Sequence, residues 1–255
     1  MVKLFCPHAK RGIDMPRTFR INQVILCVAT LCSAHALAQP TPNTLAITAP
    51  LAFEDFGSVK PGVIEVVSLA DAPISADLKE TILQEELHQK EMGWIRGSEE
   101  QTAVFDRAFS DDVLARGKPS VGAVAANLIV TPAQLEGTFL EGAETRAVLP
   151  SGAFHDGKWT GLTRMLVAPG IGRVILEESD YIASGAHLKI AEEVIDFYVG
   201  AYPGIFTVWR DRKNKGFTEV EWYTDRKQFR VTIDQQVEIN SKIYENIIAL
   251  ANALN

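Results

Sequence analysis

Past Ala38 the chain contains no cysteine, because Cys6, Cys27 and Cys32 all lie in its first 38 residues. Disulfides, thiolate metal sites and cysteine nucleophiles are thereby excluded from residues 39–255. Stability must come from a packed core, and a chain of this length can bury roughly 70% of its unfolded surface. Histidine is scarce too: only His88, His155 and His187 follow Ala38. Basic residues are outnumbered, leaving residues 39–255 with a formal charge of −11. Such a surface repels phosphate backbones and anionic lipid, which argues against nucleic-acid or membrane-surface binding as the main role. The excess is uneven, with 14 acids against 5 bases from Gln39 to Asp112 and near balance beyond. No repeat or low-complexity tract occurs, so solenoids and stalks are disfavoured.

What is present begins with Lys10, Arg11, Arg17 and Arg20, a basic lead running into the apolar stretch Val24–Cys32. That stretch is about half of the roughly twenty residues a membrane-spanning helix needs. Small residues follow it, and both Ala34-His35-Ala36 and Ala36-Leu37-Ala38 satisfy the small-x-small pattern of a cleavage site. Residues 1–38 are therefore expected to be a removable signal peptide, with Met15 an alternative start. Residues 39–255 are expected to form one exported α+β domain, periplasmic or secreted, with no transmembrane segment after processing. Lipidation is disfavoured because bulky Leu26 and Leu31 precede the two candidate cysteines.

Hydrophobic periodicity gives a coarse map. Strands are expected at 45–49 and 62–69, with a turn at Pro61-Gly62, then a helix from Ser75 to Met92. Val121–Val130 reads as a buried strand and Pro132–Glu136 as a helical turn. Gly137–Gly161 holds five glycines and is expected to be a mobile loop or lobe boundary. Strands at 161–168 and 173–178 read as a hairpin. Apolar doublets three to four apart predict a helix over 185–199, with Ser184 as its cap. Strands at 205–211, 217–224 and 228–233 form a meander, and a last helix capped by Asp234 carries Ile243, Tyr244, Ile247, Ile248, Ala251 and Leu254. The fold class is α+β, helices on an antiparallel sheet, with the C-terminal half reading β-β-α-β-β-β-α.

Candidate chemistry is thin. Glu85, His88 and Glu91 put two carboxylates one helical turn either side of an imidazole, a metal-compatible spacing with no second motif to complete a cage. Ser151, His155 and Asp156 bring hydroxyl, imidazole and carboxylate close in sequence, but without the Gly-x-Ser-x-Gly context of a nucleophile elbow. Ser184 and His187 are explained better as cap and first-turn residues. Carboxylate doublets, Glu54-Asp55, Asp111-Asp112, Glu177-Glu178 and Glu192-Glu193, could serve a glycosidase but are abundant in an acidic chain. Gly170-Ile171-Gly172 lacks the rest of a dinucleotide fingerprint and no phosphate loop occurs, so no cofactor is expected. The most localised feature is a basic turn with aromatic flanks: Trp209, Arg212, Lys213 and Lys215 on one side, Trp222 and Tyr223 on the other, adjoined by Glu219, Glu221 and Arg230. These residue types dominate binding hot spots. The leading expectation is a non-enzymatic protein binding a macromolecular partner, such as an inhibitor, immunity protein or accessory subunit of an envelope system. An envelope hydrolase using carboxylates or the His155/Asp156 loop is the alternative.

Overall fold

A computed structural model describes residues 62–255. The signal-peptide region, Met15, the expected strand at 45–49 and Glu54-Asp55 lie outside the described residues. The chain runs through β1 (Ile64–Val67), α1 (Ala76–Met92), β2 (Ile95–Arg96), three short helices α2 (Glu99–Thr102), α3 (Val104–Ala108) and α4 (Asp111–Arg116), then β3 (Glu144–His155), β4 (Lys158–Ala168) and β5 (Gly172–Asp180). It continues through β6 (Leu188–Ala191), β7 (Phe197–Val199), β8 (Tyr202–Arg210), β9 (Gly216–Tyr223), β10 (Lys227–Ile233) and α5 (Lys242–Ala253). The fold is α+β. Its main sheet has the order β2-β8-β9-β10-β5-β4-β3, with β7 beside β2 on the outer edge of β8, while β1 and β6 form a separate parallel pair.

Strand alternation divides the main sheet into two faces. Val220, Trp222, Phe229, Val231, Val174, Leu176, Leu166 and Phe206 point to one of them and pack under Ile247, Leu250 and Ala251 of α5. Trp222 and Phe229 stack there with ring centroids 5.2 Å apart. Helix α5 starts at Lys242, and its cap is Ser241, whose hydroxyl accepts from the Tyr244 N–H. Asp234 was the expected cap, but its carboxylate is taken by Arg173 at 2.5 Å. On the opposite face, Val104, Phe105, Ala108 and Val113 from α3 and α4 cover Ile95, Trp209, Phe217, Met165 and Ile175 at one end. At the other end Ile82 of α1 and Leu188 and Ile190 of β6 cover Tyr181, Ile205 and Tyr223. The middle of this face is covered by neither cluster.

Helix α1 matches the expected helix closely: Ser75 caps its N-terminus and Gly93, left-handed at φ 75°, closes it with an N–H to the Gln89 carbonyl. Four other segments differ from expectation. Residues 121–130 form two 3-10 turns rather than a strand, and 132–136 carry no helical turn. Residues 185–199 hold β6, a 3-10 turn at Glu192–Val194 and β7 in place of a helix. The apolar doublets that suggested a helix are satisfied by strands and a bend: Leu188, Ile190, Ala191 and Val194 feed one cluster and Val199 another. The C-terminal half is therefore strand-rich up to α5, without the expected middle helix.

Residues 137–161 are the fourth difference. Most of this stretch lies in the long β3–β4 hairpin, not in a loop or lobe boundary. Its glycines serve the sheet. Gly152 takes φ +81° at the bulge between Ser151 and Phe154, and a Cβ there would lie 2.5 Å from the Thr160 hydroxyl. Strand β3 is the sheet's rim, and Val148 exchanges both backbone hydrogen bonds outward with Lys118 at 2.8 Å. Two residues on, where the next outward N–H would stand, the residue is Pro150, which has none.

Candidate binding site on the middle of the sheet

In-register pairing lays a row across six strands of this face, polar at its four central positions: Ile205, Glu221, Arg230, Glu177, Thr163 and Leu149 stand opposite one another in turn. The row on one side contains Thr207, Glu219 and Thr232, and that on the other contains Tyr223, Gln228, Ser179, Gly161 and Ser151. Period-two alternation explains the placement, because Glu219, Glu221, Arg230, Glu177 and Thr163 alternate along their strands with buried residues of the other face. Glu219 and Glu221 flank Val220 on β9; Arg230 lies between Phe229 and Val231 on β10.

Arg230 is the hub. Its Nη2 and Nε lie 3.2 and 3.3 Å from Oε2 of Glu221, its Nη1 lies 3.5 Å from Glu177, and Glu219 stands at 4.0 Å. Glu221 is also held by Gln228 Nε2 at 2.6 Å and by the Tyr223 hydroxyl. Side-chain exposure rises from 1% at Glu221 to 18% at Glu219 and 35% at Glu177, so the first is an anchor and the last two are reachable from solvent. Burial pushes the Glu219 carboxyl up to about 7; Arg230 pulls it down, and Glu221 and Glu177 add to the rise. Burial alone would lower Arg230, but the carboxylates of Glu221, Glu219 and Glu177 outweigh it and hold the guanidinium above its ordinary range. Near neutral pH this patch thus holds an exchangeable proton on Glu219 beside a shared, permanently charged guanidinium.

The sequence candidates are placed differently from one another. Trp209 is 4% exposed and Trp222 and Tyr223 are fully buried, so the aromatic half of the expected partner face lies inside the protein. Tyr223 enters the polar row through its hydroxyl. Of the basic turn, Arg212 is exposed, while Lys213 pairs with Glu99 at 2.9 Å and Lys215 with Asp106 at 2.6 Å, tying the β8–β9 turn to α2 and α3. Asp211 organises that turn, accepting from the backbone N–H groups of Lys213 and Lys215 and from the Thr102 hydroxyl. The basic turn thus rests against the helices that cover this end of the sheet, with Arg212 as its projecting charge.

Glu85 and His88 line an open groove of about 500 Å³ between α1 and β2, with Asp77, Glu80, Thr81, Gln84, Ile95 and Arg96. The His88 ring meets Trp94 edge-on at 4.8 Å. Glu91 is not in that lining, and among the described residues no group of three or more His, Cys, Asp or Glu is arranged to hold a metal ion. Ser151 accepts from the Thr163 hydroxyl at 3.3 Å in mid-strand, whereas His155 and Asp156 sit exposed at the hairpin tip. Among the described residues no hydrogen bond links the three. Ser184 caps no helix, since its hydroxyl donates to the Tyr181 carbonyl, and His187 is buried 3.5 Å from Glu65.

The carboxylate doublet Glu177-Glu178 splits between the two faces. Glu177 joins Arg230, while Glu178 pairs with buried Arg164 at 2.6 Å and accepts from the Ala133 N–H at 2.8 Å, anchoring the segment before β3. Sequence reasoning singled out Glu219, Glu221 and Arg230 only as neighbours of the basic turn. The signal that could have assembled them is the tight turn at Asp225-Arg226: centring a hairpin there sets Glu221 opposite Arg230. Comparison with protein-family models, curated proteins and solved structures found no match.

Proposed function

We propose that this is an exported, non-enzymatic binding protein that receives a cationic group of a protein partner, a lysine or arginine side chain, on the polar middle of its sheet. The observation that carries the reading is the sharing of one guanidinium among three carboxylates that grade from buried to reachable. Arg230 divides its charge, and Glu219 retains a proton near neutrality as a result of burial and its acidic neighbours. A partner's cation arriving at Glu219 and Glu177 would take that proton's place. The bonds it makes would be charge-assisted and partly desolvated, the kind that contributes most in an interface. The formal charge of −11 over residues 39–255 supports attraction of a basic partner, and export rests on the basic lead and short apolar run at the N-terminus.

Titration calorimetry with a lysine- and arginine-rich peptide tests the reading. Binding at pH 7 should release protons, visible as heat that depends on the buffer's ionisation enthalpy, and should weaken with salt. Glu219→Gln and Glu177→Gln should each weaken binding several-fold. Affinity unchanged in both variants would refute the site. A second reading is favoured by the same raised Glu219, since a protonated carboxyl beside ionised ones is also what acid–base hydrolysis of a glycan needs. Turnover of glycan substrates, lost in Glu219→Gln, would move the assignment to that class.

A further inference from the structure

The outer edge of β8 is paired by β7 as far as Gly204 and by β2 from Trp209 onward. At Phe206, between them, the edge is closed by side chains. Its N–H donates to Asp196 Oδ2 at 2.8 Å, and its carbonyl accepts from Gln89 Nε2 at 2.6 Å. Gln89 belongs to α1, so at this step of the ladder a helix stands where a strand would, as a buried carbonyl requires a partner. The segments on either side of α1 are firmly held. Before it, Glu193 accepts from the Leu69 N–H at 2.8 Å and from the Ser68 hydroxyl at 3.2 Å, and Leu69 is fully buried. After it, β2 begins within three residues and pairs with β8. Between these anchors α1 buries Ile82 and Gln89 among its 17 residues, while Leu83, Leu87 and Met92 are exposed. Gly93 joins α1 to β2 in the left-handed region, and a Cβ built on it would meet nothing within 4 Å, so the joint has room to turn. Elements with few buried contacts open at less than the global cost.

We propose that α1 is a lid: it turns about Gly93 and lifts from the sheet while the strands stay paired, and the Gln89 hydrogen bond to Phe206 is the catch that closes it. A polar catch suits a moving part. When the helix lifts, water takes up both the Gln89 amide and the Phe206 carbonyl, so the closed form is favoured by a small margin only. What lies beneath gives the movement a consequence. Ile82 packs over Ile205 and Tyr223. Ile205 stands opposite Glu221 in the row across the sheet, and the Tyr223 hydroxyl bonds to Glu221. Lifting α1 therefore extends the accessible face toward β8 and takes away one wall of the groove that holds His88 and Arg96. The lid stands on the packing of α1 and does not depend on what the row binds.

Amide hydrogen exchange on the full chain, without urea and in low urea, tests the lid. Amides from Ile82 to Met92 should be less protected than those of β9 and β10 by about tenfold or more, and should respond less steeply to urea, as a local opening does. Gln89→Met keeps the length and helix propensity of the side chain but removes the donor. It should lower α1 protection by about a further tenfold, the equivalent of one buried hydrogen bond, and leave the strands unchanged. A thiol beneath the helix separates lifting from unwinding in place. Ile205→Cys should react with a thiol reagent, read at that peptide by mass, and adding Gln89→Met should speed the reaction by the same factor. Ala251→Cys, buried between α5 and the sheet, should stay slow in both backgrounds. Protection of α1 equal to that of β9 and β10 with the same urea response would overturn the lid. So would unchanged α1 protection in Gln89→Met, a fall shared equally by the strands, or a thiol at position 205 that reacts no faster than the one at position 251.

Discussion

Replacing Arg230 by methionine keeps the length and apolar stem of the side chain but removes the charge that three carboxylates share. Glu221 loses contacts at 3.2 and 3.3 Å while remaining 1% exposed, and keeps Gln228 and the Tyr223 hydroxyl as its partners in the row. Breaking a buried ion pair from one side costs about 3–5 kcal/mol, and because Arg230 is 16% exposed the lower end applies, about 3 kcal/mol at pH 7.5. The loss should depend on pH in a definite sense. Without the guanidinium, the folded carboxylates bind protons more tightly than the unfolded chain does, so stability falls as pH rises through their folded values. At pH 5, where more of them are protonated, the difference from the parent should shrink to about 1–2 kcal/mol. Urea unfolding followed by tryptophan fluorescence measures both values, since Trp222 is fully buried against Phe229. Adding Glu221→Gln to the variant should recover part of the loss at pH 7.5. An equal loss at both pH values, or one below about 1 kcal/mol, would mean that Arg230 contributes packing rather than charge.

Three further outcomes are expected. Ile247→Ala empties a fully buried site on α5 and should cost about 2–5 kcal/mol, read from the denaturant midpoint; an unchanged midpoint would remove that stripe from the core. Gly152→Ala places a Cβ 2.5 Å from the Thr160 hydroxyl at φ +81° and should destabilise by more than about 1 kcal/mol, with the largest chemical-shift changes at the β3–β4 bulge. The intact mass of exported protein should correspond to a mature chain starting at Leu37 or Gln39, and retention of Met1 or Met15 would contradict processing.

Tight turns and cap residues were reliable guides, as was the apolar period of α5, whose outer side meets solvent. The meander β8–β9–β10 and its turns, the Ser75 cap of α1 and the apolar stripe of α5 were all legible on that basis. Period misled at 185–199, where doublets such as Ile190-Ala191 and Val194-Ile195 satisfy helical spacing but are buried by a strand, a bend and the neighbouring α1. Glycine misled at 137–161, where Gly152 and Gly161 are demanded by strand geometry: a Cβ on Gly161 would lie 2.5 Å from the Glu178 carbonyl. The site residues were visible as types but not as a constellation. Glu177 reaches Arg230 only because β5 lies next to β10 in the sheet, a pairing between strands 47 residues or more apart in the chain at their aligned positions. Aromatic residues near charged ones suggested a surface, yet Trp222 faces the α5 side and Trp209 lies under α3 and α4.

The rim of the sheet bears on how this molecule behaves in a crowd. A twelve-residue strand with a free side is ordinarily a template on which other chains can grow fibres. Here Lys118 occupies the bonds of Val148, Pro150 withholds the next donor, and the bulge at Gly152 bends the backbone out of line. Among the described residues no continuous ladder of donors and acceptors faces outward. An edge broken in this way pairs less readily with other chains, which makes this strand a poor seed for cross-β growth.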